Sequence, residues 1–158
     1  MGKLKVGDTA PDFTKPWTGE GDFTLSAQRG NWVVLAFYPG DETSVCTKQM
    51  CEYRDNKQRI DGLEAEMVGI SPQGVESHEG FIRNHDLSLP LVADEDQSVA
   101  EAYGIKLGPS LRRSVFIVDP EGKIAWKDVK LLGLSYTDSA AIQEALNEAK
   151  AKAGATSG

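Results

Sequence analysis

The chain reads as an α/β protein built on a mixed central sheet with helices on both faces. Three observations predict this. Short apolar runs rich in β-branched residues, Trp32-Val33-Val34-Leu35-Ala36-Phe37, Glu66-Met67-Val68-Gly69-Ile70-Ser71 and Ser114-Val115-Phe116-Ile117-Val118, have the length and composition of buried strands. Polar, helix-favouring stretches separate them, as parallel crossovers require. The third run turns through Asp119-Pro120-Glu121-Gly122 into Lys123 to Val129, with Pro second and Gly fourth, which predicts an antiparallel hairpin at the end of the sheet.

The elements follow in order. Val6 to Phe13 reads as a loop or edge entry, since Pro11 excludes a central strand. Trp17 to Asp22 is turn-like, Phe23-Thr24-Leu25 reads as the second strand of a hairpin, and Ser26 to Arg29 as one helical turn. The first buried strand ends at Pro39-Gly40, and a polar segment from Lys48 to Ile60 reads as a helix. After the second strand, Gly74 to His85 reads as a helix with Val75, Phe81 and Ile82 on its apolar side. Leu89 to Ala93 is extended. Asp94-Glu95-Asp96 places acids where a helix start favours them, and Gln97 to Tyr103 ends at Gly104. Asp138 to Lys152 closes the chain as an amphipathic helix. This order is a thioredoxin-like architecture with an N-terminal hairpin extension and an insertion near residues 74–104. Residues 1–150 read as one domain and 151–158, low in complexity, as a mobile tail.

Composition narrows the function. The 158 residues carry 40% hydrophobic and 26% charged residues, ordinary for a soluble globular chain. The net charge of −7 and the lack of a Lys/Arg cluster exclude nucleic acid and anionic membrane as expected partners, because both attract cations. No run approaches the ~18 apolar residues that would span a bilayer, and Met1 to Gly7 has no apolar signal core. Two cysteines at close spacing do not make a secreted disulfide framework, so a cytoplasmic location with redox-active thiols is expected.

Both cysteines lie just after the first buried strand. Cys46 falls where strand hands over to helix. A helix start offers unpaired N–H groups and the positive end of the macrodipole, and cysteines there are commonly shifted toward thiolate. Thr43 is placed to cap that helix or to reach the sulfur, and Pro39 fixes the chain's direction. The bland alternative, a small buried hydrophobe, fits poorly with the polar neighbours of Cys46. Cys51 follows at a spacing of five. On one regular helix the two Cα atoms would stand roughly 8–9 Å apart, beyond the ~7 Å reach of a disulfide. Either Cys51 is an inert core residue, or the helix unwinds when the two thiols join.

The pattern Pro39-x-x-x-Thr43-x-x-Cys46 resembles the active-site motif of the peroxiredoxins, thiol peroxidases on a thioredoxin-like fold. The stretch Cys46-Thr47-Lys48-Gln49-Met50-Cys51-Glu52-Tyr53-Arg54-Asp55-Asn56 resembles the peroxiredoxin Q branch, also called bacterioferritin comigratory protein, although Ser44-Val45 stands where that branch often has Pro-Gly. The resemblance implies that Cys46 attacks the peroxide and Cys51 resolves the product as an intramolecular disulfide. It implies that Arg113, three residues before Phe116, approaches the sulfur, with Arg112 its exposed neighbour and Arg54 a supporting residue. It further implies reduction of hydrogen peroxide and organic hydroperoxides, recycling by thioredoxin or a similar dithiol, and no metal, haem or flavin. A resolving cysteine in the same chain makes a monomer sufficient, with a dimer as the alternative. The competing reading is a thioredoxin-like exchange or redox-sensing module, against which the absence of Cys-x-x-Cys counts. His78 and His85, seven apart, lie about 10 Å apart along one helix side. With the cysteines they make four zinc-capable residues that match no finger spacing.

Overall fold

The computed structural model describes residues 4–131 and 135–156; Met1 to Lys3, residues 132–134 and the end of the expected tail, Ser157 and Gly158, lie outside the described residues. Strand β1 (Thr14–Pro16) pairs antiparallel with β2 (Asp22–Thr24) in the expected N-terminal hairpin, followed by a 3₁₀ turn, Leu25–Gln28. Then come β3 (Trp32–Phe37), α1 (Ser44–Asp55), α2 (Lys57–Asp61), β4 (Ala65–Ser71), α3 (Val75–His85), β5 (Leu91–Ala93) and α4 (Ser98–Ala102). A small hairpin, β6 (Lys106–Leu107) with β7 (Ser110–Leu111), precedes β8 (Ser114–Val118), β9 (Ile124–Val129) and α5 (Ser139–Thr156).

The central sheet has the order β5-β4-β3-β8-β9. Strands β3, β4 and β5 are parallel, joined by helical crossovers, whereas β8 runs antiparallel to both β3 and β9. Alternation along β3 divides the core. Val33, Leu35 and Phe37 enter a cluster with Phe23, Leu25, Val99, Tyr103 and Phe116. Val34, Ala36 and Tyr38 face the other side, where α1, α3 and α5 bring Cys46, Met50, Tyr53, Phe81, Ile142 and Leu146. Burial of each large apolar side chain contributes about 1.5–3 kcal/mol, so both faces must be covered, and the helices cover them.

Gly69 on β4 marks the closest approach. A Cβ there would lie 2.7 Å from Leu91 Cδ2 and 3.2 Å from Tyr38 Cε1. Its missing side chain lets Tyr38 and α1 settle onto the sheet. Asp94 confirms the helix start expected near it, accepting from the backbone N–H groups of Val99 and Ala100 at 3.2 and 3.0 Å.

Three details depart from the sequence reading. The cysteine helix begins at Ser44 rather than Lys48 and breaks at Asn56, whose φ of −113° and ψ of 37° separate α1 from α2. The β6–β7 hairpin was not expected. Residues 151–156, expected as a tail, continue α5, since Ala and Lys are strong helix formers. No described helix is long and apolar enough to cross a membrane.

Candidate active site

Strand β3 ends at Phe37, which pairs with Ser114 at the start of β8. That antiparallel register carries Arg113, immediately before β8, to the mouth of the loop 39–43. Val115 and Ile117 point to the α1 side of the sheet, and Arg113 shares their parity. Arg112 takes the opposite parity, is half-buried, and donates to Leu131 O at 3.4 Å. Of two adjacent arginines, topology selects the one that reaches the cysteine.

Cys46 is the third residue of α1 after the N-cap position Thr43, so its backbone N–H is among the helix's unpaired donors. The residue is fully buried and its thiol is free. Arg113 Nη1 lies 3.0 Å from Cys46 Sγ and donates to Gln49 Oε1 at 2.8 Å. Gln49 Nε2 donates to Tyr53 Oη at 3.0 Å, and Tyr53 donates to Thr137 O at 2.6 Å. The guanidinium is thus held by a buried chain of hydrogen bonds. Burial pushes Tyr53 well above the usual phenol range, so this chain stays protonated as drawn. A fixed cation against a sulfur at a helix start stabilises negative charge on that sulfur and on an oxygen brought to it.

Thr43 meets neither expectation for it. It occupies the N-cap position without a side-chain capping bond, and its hydroxyl donates to Gly40 O at 3.1 Å, folding the loop back on itself. Pro39 is half-buried at the start of that loop. Cys51 sits on the same regular helix as Cys46, half-buried against the core cluster. The helical separation of roughly 8–9 Å therefore holds, and the two thiols cannot join while α1 is intact. Arg54 pairs with Asp55 at 2.9 Å and donates to His85 O at 2.5 Å, tying the far end of α1 to α3.

Sequence reasoning missed Gln49 and the residues behind the loop. Gln49 was detectable in principle, being one turn after Cys46 on the same helix face. The partners of the histidines were not detectable, because they depend on how α3 packs. Among the described residues no three His, Cys, Asp or Glu side chains converge as metal ligands. A cavity of about 250 Å³ lined by Tyr103, Ile105 and Phe116 lies on the opposite side of the sheet and takes no part in this site.

A helix-start cysteine held by a buried arginine, on a thioredoxin-like mixed sheet, defines a thiol-based redox enzyme. Comparison with known proteins gives the kind. Residues 6–127 match the model of the AhpC/TSA family. The chain is 35% identical over 141 residues to a putative peroxiredoxin bcp of Coxiella burnetii, covering 82% of this chain and 93% of that one. It is 32% identical over 138 residues to peroxiredoxin Bcp of Bacillus subtilis, covering 81% and 88%. Among solved structures, Xanthomonas campestris peroxiredoxin Q superposes with a TM-score of 0.78 at 28% identity, over 92% of this chain and 96% of that one. The chain belongs to the AhpC/TSA family, in its peroxiredoxin Q and bacterioferritin comigratory protein branch. It is a thiol-dependent peroxidase, whose family uses cysteine redox chemistry without a prosthetic group.

Proposed function

We propose that Cys46 is the peroxidatic cysteine and Cys51 the resolving one. The observation that carries the reading is the 3.0 Å contact of Arg113 Nη1 with Cys46 Sγ at the start of α1. The Cys46 thiolate attacks the terminal oxygen of the peroxide. The S–O bond forms as the O–O bond breaks, and the departing oxygen takes a proton to leave as water or alcohol, with the sulfur oxidised to a sulfenic acid. Arg113 donates to the oxygens as charge moves onto them, Thr43 orients the peroxide, and Pro39 shields the sulfur.

The second step needs α1 to unwind between Cys46 and Cys51. The Cys51 thiolate then attacks the sulfenic sulfur, hydroxide leaves and is protonated to water, and an intramolecular disulfide forms. An external dithiol, with thioredoxin the leading candidate, reduces it by exchange and is itself oxidised. Substrates are hydrogen peroxide and organic hydroperoxides; alkyl peroxide reduction is an activity of the related bacterioferritin comigratory protein of Xanthomonas campestris. We further read residues 1–150 as one catalytic domain, complete as a monomer, acting in the cytoplasm.

Peroxide consumption coupled to thioredoxin, thioredoxin reductase and NADPH tests this reading. Saturable turnover is expected from the wild type and none from Cys46→Ser. Substantial turnover by that variant would remove Cys46 from the central role.

A further inference from the structure

The two histidines of α3 remain unexplained by this chemistry, and both turn toward the loop that delivers Cys46. The loop's consecutive acids meet them. Asp41 Oδ2 lies 2.7 Å from His78 Nδ1, and Glu42 Oε1 lies 2.7 Å from His85 Nε2. Asn84 adds a donor to Glu42 Oε2 at 2.7 Å. Glu42 itself has φ of +63°, a left-handed conformation that a non-glycine residue adopts at a cost. The loop is therefore held in a specific shape from the first and last turns of α3.

The inner pair is the informative one. His78 is fully buried, and its Nε2 lies 2.9 Å from Val92 O. A carbonyl oxygen only accepts, so Nε2 carries a proton. Two lone pairs cannot face each other at 2.7 Å, so a second proton lies between Nδ1 and Oδ2. The carboxylate has further partners. Tyr38 Oη donates to Oδ1 at 2.7 Å and Ser77 Oγ donates to Oδ2 at 2.7 Å. Burial alone would raise the Asp41 carboxyl, but the donors His78, Tyr38 and Ser77 outweigh it and hold the group below the usual carboxylate range. The carboxylate is thus gripped by a ring, a phenol and a hydroxyl, and the far nitrogen of that ring is anchored on the backbone of β5. Behind the same residue, the Asp41 N–H donates to Gln73 Oε1, and Gly40 has only 3.3 Å to spare for a Cβ against that oxygen. The loop is fastened through backbone and side chain alike.

We propose that His78 is a positioning residue for peroxide reduction: anchored on Val92 O through one ring nitrogen and bonded to Asp41 through the other, it clamps Asp41, and with it the loop 39–43, onto α3. The clamp fixes Thr43 and the start of α1 while the rest of α1 unwinds for disulfide formation. His85 with Glu42 is the exposed and weaker outer latch. The inference rests on Cys46 being the peroxidatic residue. It acts through the loop, since the polar contacts of the His78 ring are with Asp41, Tyr38 and Val92 O.

The test measures single-turnover oxidation of Cys46 by hydrogen peroxide in stopped flow, on full-length variants shown by circular dichroism to be folded at the assay temperature. His78→Leu should lower the rate constant by about tenfold or more, because small misplacements of reacting groups cost rate steeply. His78→Asn, which keeps one donor toward Asp41, should recover part of the loss, and His85→Asn should stay within about twofold. Wild-type rates in folded His78→Leu would overturn the clamp, as a purely structural role would lower the melting temperature alone. Should His78→Leu not fold, folded Asp41→Ala, which removes the other half of the clamp, decides: a loss of similar size is expected, and a wild-type rate overturns the proposal. An active wild type with indifferent His78 variants sinks the clamp alone, whereas inert wild-type Cys46 sinks the reading beneath it.

Discussion

Replacing Arg113 by Met probes the cysteine's surroundings. Arg113 is 5% exposed and its Nη1 bridges Cys46 Sγ and Gln49 Oε1 at 3.0 and 2.8 Å. A hydrogen bond from a charged donor contributes about 1.5–3 kcal/mol, which is roughly 10- to 150-fold in rate if it is made to the reacting atoms. Loss of one preorganised donor to a developing oxyanion costs about 10²–10³ in rate. In the proposed mechanism Arg113 serves both the sulfur, which it touches, and the departing oxygen, so a loss of about 10²–10³ in the second-order rate constant is expected. The assay is peroxide oxidation in a Cys51→Ser background, which isolates the first step. Arg113→Lys keeps the charge without the planar fork and should fall between the two. Activity of folded Arg113→Met within about threefold of the parent would refute the reasoning, since a donor in contact with the reacting sulfur cannot be lost so cheaply.

Other outcomes follow from the same structure. Cys51→Ser should oxidise as fast as the wild type but stop at the sulfenic acid, detectable with a dimedone adduct; rapid disulfide or normal thioredoxin-coupled turnover would contradict a resolving role. Gly69→Ala should lower stability by about 1–3 kcal/mol, read by urea unfolding, because its Cβ would press on Leu91 and Tyr38 across the sheet. Burial raises the phenols of Tyr38, Tyr53 and Tyr103 above their ordinary value near 10, and at Tyr38 the neighbouring Asp41 adds to the rise. A raised acid favours the fold while neutral, so that contribution is present below the unfolded value of about 10 and is lost as pH rises through the folded value. Burial raises Tyr136 as well, but it is the one tyrosine of the four that is not fully covered, so in an alkaline absorbance titration it alone should ionise before the chain unfolds. Two or more ionising near pH 10 with unchanged circular dichroism would count against the packing.

Much of the scaffold was legible because it depends on local pattern. The run from Trp32 to Phe37 has no other reading than a strand buried on both faces, and its break at Pro39-Gly40 locates the loop that carries the chemistry. Helix starts were harder. Ser44, Val45 and Thr47 are indifferent helix formers, and packing of Cys46, Met50 and Tyr53 against the sheet draws them into α1 nonetheless. At the end of α5 the error ran the other way: an alanine-rich segment looked like a tail but has strong helical propensity. In the site, Arg113 came into view through family resemblance, and the register of β8 against β3 supplies the physical reason it reaches Cys46. The pairing of Asp41 with His78, 37 residues away, had no sequence signal at all. It depends on where α3 lands beside β5, which no periodicity specifies. The histidines that had looked like zinc-capable side chains each face a carboxylate of the active-site loop.

The central claim is that Cys46 and Cys51 share one catalytic cycle in which a helix opens and closes. Mass spectrometry of wild-type protein quenched after a single equivalent of hydrogen peroxide tests it most directly. The predicted product is a species lacking two hydrogens, its disulfide mapped between the peptides bearing Cys46 and Cys51, with full return to dithiol on adding reduced thioredoxin. An oxygen adduct that persists on Cys46 with Cys51 still a free thiol would contradict it.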